Sequence, residues 1–396
     1  MAHQYTMEER LEQLAERRAK VECGGGEAKL EKQHTQGKLT ARERVSALLD
    51  EGSFQETGAF RRNRTTTFGM DKADMPADGV ITGSGSVFGR PVHIASQDFT
   101  VMGGSAGEAH SIKVTEALKA SLMTGTPFVF INDSGGARVQ EGIDSLSGYG
   151  KVFYANVLLS GAVPQISIIS GPCAGGAAYS PALTDFIIQT RKAHMFITGP
   201  GVIKQVTGED VTQDELGGAD AQMASGVVSF VADDDDQAIL IAKKLLSFLP
   251  SNNAEDAPIV DPDENVERNE NLRSIIPEEG NKGYDVRDVI REIVDRGDFL
   301  EVRAGFARDD VRGTDCVEQR RLAVVDVAHD RDDGSTRLQR RVIGIDIANE
   351  TDFDVGFGNA LRRMAEFLNN ELCRIGVEHV GNLVHRAVLH QILDEV

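Results

Sequence analysis

Basic residues are scarce in this chain. Lys and Arg total 42 against 62 Asp and Glu, a formal charge of −20 over 396 residues. Binding to nucleic acid needs a basic face to meet phosphate, so that class is excluded. Cysteine is scarce too. Cys23, Cys173, Cys316 and Cys373 stand far apart, with no C-x-x-C pair and no Cys/His cluster at zinc spacing. No metal site is expected, and the thiols read as reduced. No apolar run is long enough to span a bilayer and no signal peptide is legible, so a cytoplasmic protein without membrane contact is expected. Tryptophan is absent, and the hydrophobic fraction of 40% is modest but compatible with a packed core. The acidity has two readings, an ordinary acidic enzyme or a surface adapted to high salt.

Glycine, by contrast, is plentiful. The 41 glycines exceed the usual share of about 7% and suit an α/β fold with many tight turns. They concentrate in Ser170–Phe186, which reads S-G-P-C-A-G-G-A-A-Y-S-P-A-L-T-D-F. The apolar run Pro164–Ile169 leads into it as a buried strand. A helix from about Ala174 would place small residues in its first turn, where unpaired N–H groups and the positive end of the dipole lie. A ligand oxygen could then approach Gly175 and Gly176 closely, the arrangement needed to hold an oxyanion. A turn of this composition equally suits close backbone packing. A second apolar run, Phe128–Asn132, enters Asp133-Ser134-Gly135-Gly136-Ala137-Arg138, again small and rich in donors. Cys173 has no His near it in sequence and reads as a packing residue.

Along the chain, Glu8–Lys20 has the spacing of an amphipathic helix with a thin apolar stripe, ended by Gly24-Gly25-Gly26. Leu39–Arg44 opens another, capped by Thr40. Asp78–Gln97 reads as a β-hairpin turning at Phe88-Gly89-Arg90, followed by a small-residue turn at Asp98–Ser105. Helices are expected over Ala106–Met123, Gly148–Ser160, Val202–Val206, Ala238–Phe248 and Val286–Val294. Strands are expected at Val163–Ile169 and Met223–Val231, and one beginning at Phe299–Val302. Asp233–Asp236 reads as a solvated helix cap rather than a metal site, and Asn252–Asn271 as a surface linker. Strand, turn and helix in repetition imply a largely parallel sheet with right-handed crossovers.

The pair of glycine turns resembles the crotonase superfamily. More specifically, D-S-G-G-A-R-V-Q-E-G (Asp133–Gly142), S-G-Y-G (Ser147–Gly150), the Ser170–Phe186 stretch and F-I-T-G-P (Phe196–Pro200) resemble the β (carboxyltransferase) subunit of acyl-CoA carboxylases, with the propionyl-CoA carboxylase β chain the nearest member. The words extend from about Glu8 to Arg308. The resemblance implies a crotonase-like (ClpP/crotonase) α/β spiral in a homo-oligomer, with residues 1–23 an N-terminal helix and 24–308 the acyl-CoA carboxyltransferase domain.

It also implies transfer of a carboxyl group from carboxybiotin to the α-carbon of a short acyl-CoA, through an enolate held by the backbone of Gly175 and Gly176. Gly135, Gly136, Ala137, Ala174 and Ala177 would line the acyl site. Arg138 would contact a phosphate or brace its loop. Coenzyme A is an anion, so in a chain this acidic its site must be a local basic patch. No cofactor would be held permanently. Biotin would come on the carrier domain of a partner, the biotin carboxylase/biotin carrier α subunit.

Past Arg308 the family words stop, and the glycine turn of a biotin-binding second half is not found. Residues 309–396 then read as a divergent, truncated or frame-shifted segment, and the chain is expected to be inactive alone. Leu322–Val327 and Val342–Ile347 are candidate strands and Phe357–Val396 a candidate helix. His379, His385 and His390 lie there without ligand spacing. Two alternatives share the motifs: a methylmalonyl-CoA-type decarboxylase or other crotonase-type acyl-CoA enzyme, and a non-catalytic CoA-binding assembly subunit.

Overall fold

The structure, a computed structural model, describes residues 5–259, 271–277 and 282–302. The chain divides into two compact units at Asp310/Val311, and every described residue belongs to the first. The expected strands at 322–327 and 342–347, the helix at 357–396 and its three histidines lie outside the described residues.

Among the described residues eight strands form one sheet: β1 Gln55–Thr57, β2 Val80–Val87, β3 Arg90–Gln97, β4 Phe128–Ser134, β5 Gln165–Ala174, β6 Phe186–Thr190, β7 His194–Phe196 and β8 Phe230–Ala232. Their order is β1-β2-β3-β4-β5-β6-β8, with β7 pairing to β5. β1 to β3 are antiparallel, and every later pairing is parallel. The hairpin β2–β3 turns at Phe88-Gly89 as its sequence requires.

Five helices precede β5 in the chain: α1 Met7–Glu22, α2 Glu27–Thr35, α3 Ala41–Leu48, α4 Glu108–Thr124 and α5 Ile143–Leu159. Thr6 and Thr40 each cap their helix in a reciprocal box, with Glu9 and Glu43 three positions on. Helices cover both faces of the sheet, which explains why Phe128–Ile131 of β4 is apolar without alternation and the whole strand is buried. Alternate residues still part company. Val129 and Ile131 pack with α3 and the helix Asp235–Phe248, while Phe128 and Phe130 pack with α4 and α5. This mixed α/β sheet has the crotonase-like fold.

Three expectations need correcting. The strand before the key turn does not stop at Ile169. It runs to Ala174 because β7 pairs with Pro172–Ala174 and extends it. Residues 223–231 are not one strand: Ala219–Ala224 is helical, and only Phe230–Ala232 pairs, beside β6. Phe299–Val302 pairs with nothing among the described residues and forms no strand.

Candidate active site

Parallel strands β4 and β5 end side by side, Ser134 opposite Cys173, so the turns that follow them emerge at the same edge of the sheet. The first turn is Gly135–Arg138. Gly136 has φ +102, and a Cβ there would lie 2.6 Å from the carbonyl oxygen of Ala174. The two glycine turns thus touch, and only a glycine permits the approach. The second turn is a 3-10 helix, Gly175–Ala178, followed by the short α-helix Tyr179–Ala182. Gly175 reverses the chain at φ +60. The expected regular helix from Ala174 is therefore a tighter turn, with the same consequence: its first N–H groups have no intrahelical acceptor.

The structure brings together Gly135, Gly136, Ala137, Ala174, Gly175, Gly176 and Ala177. Their N–H groups are not equivalent. Gly135 donates to the Gly103 carbonyl at 3.0 Å, Gly136 to Ser134 Oγ at 3.1 Å and Arg138 to the Ala106 carbonyl at 2.9 Å. Among the described residues no hydrogen bond from the Ala137 N–H is found. That leaves Ala137 as the donor the first turn presents.

Arg138 braces the loop. It is completely buried, paired with Asp78 at 2.6 Å and Glu141 at 2.8 Å, and it donates to the Ser105 carbonyl at 2.8 Å. Held in this way, the guanidinium offers no charge to a ligand at the surface. Cys173 is buried, with Sγ 3.3 Å from the Ala177 carbonyl, and burial pushes its thiol well above the ordinary range. It is a packing group, as its sequence surroundings suggest.

Sequence reasoning missed what lies beneath the turns. Asp133, the last residue but one of β4, is fully buried and receives Lys38 Nζ at 2.6 Å and Arg44 Nη1 at 3.0 Å. Arg44 is buried as well. Its Nε meets Asp235 Oδ2 at 3.0 Å and its Nη2 the Ser170 carbonyl at 3.4 Å. One guanidinium therefore ties together β4, β5 and the start of the helix Asp235–Phe248. Burial works against its charge, and Asp133 and Asp235 outweigh that effect, holding its pKa above the ordinary value. At Lys38 burial wins, and the pKa is lowered despite Asp133.

The signal was present in T-A-R-E-R and in the Asp of D-S-G-G, but pairing across 89 and 191 residues is invisible to local patterning. The acid run at Asp233–Asp236 is accordingly mixed. Asp234 caps its helix and Asp233 meets Arg191 at the surface, whereas Asp235 is an internal ion-pair partner. Among the described residues, no group of three His, Cys, Asp or Glu side chains is placed to hold a metal.

Two further buried groups adjoin the site. The Tyr149 ring would stand 3.2 Å from a Cβ at Gly176, so it forms the wall behind that turn. Burial raises the pKa of its hydroxyl far above the ordinary value, keeping it neutral. His110 Nδ1 lies 3.1 Å from the Asp78 carbonyl, and its Nε2 faces Gln97 Nε2 at 3.4 Å. The first contact requires Nδ1–H to donate and the second requires Nε2 to accept, so the ring is neutral. Burial, reinforced by the Arg138 charge, lowers its pKa to about 3.

Among the described residues no helix is long and apolar enough to cross a membrane. The chain is 68% identical over 321 residues to the methylmalonyl-CoA carboxyltransferase 12S subunit of Propionibacterium freudenreichii, covering 81% of this chain and 61% of that one. It is 49% identical to the propionyl-CoA carboxylase carboxyltransferase subunit of Haloferax mediterranei, covering 78% of this chain and 60% of that one. A crystal structure of the transcarboxylase 12S hexamer, with methylmalonyl-CoA and methylmalonic acid bound, matches with a TM-score of 0.75 and 70% identity over 77% of this chain and 60% of that one. The chain thus spans about three fifths of the length of these relatives, and it is more like the 12S subunit than the propionyl-CoA carboxylase subunit. The model of the carboxyl transferase domain matches residues 32–370, and the chain belongs to that family.

Proposed function

We propose that this chain is the acyl-CoA-binding part of a biotin-dependent carboxyltransferase acting on a short acyl-CoA, with propionyl-CoA and methylmalonyl-CoA as the substrate pair. One observation carries the reading: the two glycine turns abut, through Gly136 and Ala174, at the ends of adjacent parallel strands. A thioester carbonyl oxygen seated between them receives N–H groups from Gly175 and Gly176 on one side and from Ala137 on the other. Ala174, Ala177, Gly135 and Gly136 leave room for the acyl group by being small.

Loss of the α-proton, for which the ureido nitrogen of biotin would be the acceptor once its carboxyl group has left, turns the thioester into an enolate whose charge sits on that oxygen. Preorganised donors stabilise it, each worth about 3–4 kcal/mol of barrier. They face a site backed by Tyr149 rather than by water. Asp133 is the carboxylate nearest the turns in sequence, but it is held beneath them by Lys38 and Arg44 and is not available as a base.

The carboxyl group would come on biotin carried by a partner α subunit, and that side of the exchange is not assigned to any described residue. The described residues supply binding and polarisation of the thioester. A homo-oligomer in the cytoplasm is the assembly and compartment we expect.

The test is calorimetry with propionyl-CoA on the wild-type chain and on Gly176→Val. The added side chain crowds the Tyr149 ring and displaces the turn that carries the donors, so the variant is expected to lose thioester binding while remaining folded by circular dichroism. Unchanged binding in the variant would overturn the assignment of this turn.

A further inference from the structure

Two consecutive non-glycine residues hold left-handed backbone just before β2. Ala77 has φ +51 and Asp78 φ +52, and Gly79 follows at +73. For residues with a Cβ this conformation is strained, and it persists only where the surroundings enforce it. The turn is buried, and α4 clamps it. Lys113 Nζ donates to the Ala77 carbonyl at 2.8 Å and to the Val80 carbonyl. His110 donates Nδ1–H to the Asp78 carbonyl at 3.1 Å.

The strained turn delivers a carboxylate to the start of α4. Asp78 Oδ2 accepts the His110 N–H at 2.7 Å, and Glu141 Oε2 accepts the Glu108 N–H at 2.7 Å. Both N–H groups belong to the first turn of the helix, which has no intrahelical acceptors for them and carries the positive end of the dipole. Each carboxylate then turns its other oxygen to one atom, Arg138 Nη1, at 2.6 Å from Asp78 and 2.8 Å from Glu141. The position of the guanidinium is thus fixed by α4 through two carboxylates.

Arg138 passes that position on to the first glycine turn. Its N–H donates to the Ala106 carbonyl at 2.9 Å, and the Ala106 N–H donates to the Gly136 carbonyl at 2.9 Å. Ala106 and Ala137 therefore form a parallel bridge. In such a bridge the peptides on either side of Ala137 face Ala106, so the N–H of Ala137 itself points away from it.

We propose that Asp78 is a positioning residue for the thioester site: held by its strained turn, it fixes Arg138, and Arg138 fixes Ala137 with its N–H turned to the substrate oxygen. Asp78 acts through Arg138 and not on the substrate itself. The assignment rests on the acyl-CoA reading above and adds to it the residue that sets one of the three donors.

The experiment reads the carbonyl by isotope-edited infrared spectroscopy of propionyl-CoA, labelled with 13C at that carbon and bound to the full chain. Hydrogen bonds at oxygen lower its stretching frequency. Asp78→Asn keeps the shape and tolerates left-handed backbone, but it places an NH2 group against either Arg138 or His110, both donors. With one donor of three misplaced, the bound displacement should shrink by about a third, and calorimetry should show propionyl-CoA binding weakened about fivefold. Asp78→Gly, which removes the carboxylate and relieves the strain, should shrink the displacement as well. Arg90→Met controls for lost stability. Arg90 opens β3 at the opposite edge of the sheet and donates to the Leu246 and Leu249 carbonyls. This variant should melt at a lower temperature and keep the wild-type bound frequency.

A wild-type bound frequency in either Asp78 variant, or an equal loss of displacement in Arg90→Met, would overturn this assignment and leave the thioester site standing. Failure of both Asp78 variants to fold would overturn it too, since the residue would then serve stability alone. An undisplaced carbonyl in wild type, or no binding by it, would overturn the acyl-CoA reading itself, and this one with it.

Discussion

Replacing Arg44 by Met is expected to destabilise the folded unit by about 3 kcal/mol. Arg44 is fully buried and donates to Asp133, Asp235 and the Ser170 carbonyl. Methionine fills much the same volume, so the loss is electrostatic rather than a cavity. Removing one partner of a buried ion pair typically costs about 3–5 kcal/mol because the other charge stays buried. Here the low end applies, since each carboxylate keeps a donor: Lys38 at 2.6 Å for Asp133, and the Leu39 N–H at 2.8 Å for Asp235.

For a unit of this size a loss of about 3 kcal/mol lowers the melting temperature by roughly 6–12 °C. Removing Lys38 as well, in Lys38→Met/Arg44→Met, strips Asp133 of both cations, and the double loss should exceed the sum of the single ones. Thermal melts followed by circular dichroism, with urea unfolding in parallel, read both numbers. A drop below about 1 kcal/mol for Arg44→Met, or simple additivity in the double variant, would refute the idea that this network holds the ends of β4 and β5 together.

Gly136→Ala should cost about 1–3 kcal/mol in stability, from its φ of +102 and the crowding against the Ala174 carbonyl, and it should weaken thioester binding by separating the two turns; an unchanged melt would contradict the contact. Because native His110 is neutral, with its pKa lowered to about 3, the unfolded chain binds the extra proton below its ordinary pKa of about 6.5. Stability should therefore fall with pH below about 6.5 by about 1.4 kcal/mol per unit toward pH 3, a slope that His110→Gln should flatten in melts between pH 7 and pH 5.

Much of the local geometry of the candidate site was legible because its determinants are local. Glycine pairs after apolar runs mark sharp turns at strand ends, and Thr40 with Glu43 marks a helix start. The α/β alternation followed from the same punctuation. What stayed hidden depends on contacts between distant residues. The extension of β5 to Ala174 comes from pairing with His194–Phe196, a partner strand of three residues that periodicity cannot detect.

The burial of Asp235 inside a run of four aspartates comes from Arg44 arriving from another helix. Arg138 was open between phosphate contact and bracing, and it was decided by Asp78, sixty positions earlier in the chain. The sheet could be read from pattern, while the ion pairs beneath it and the donor freedom of each N–H could not.

The central claim is that the paired turns polarise a thioester carbonyl. The direct measurement is the 13C resonance of propionyl-CoA labelled at the carbonyl carbon, free and bound to the full chain. The proposed hydrogen bonds from Gly175, Gly176 and Ala137 would draw electrons toward oxygen, so the bound signal should move downfield from the free one. That displacement should shrink in Gly136→Ala, where the turns are forced apart. A bound carbonyl with the resonance of the free thioester, or a shift that Gly136→Ala leaves intact, would contradict the account.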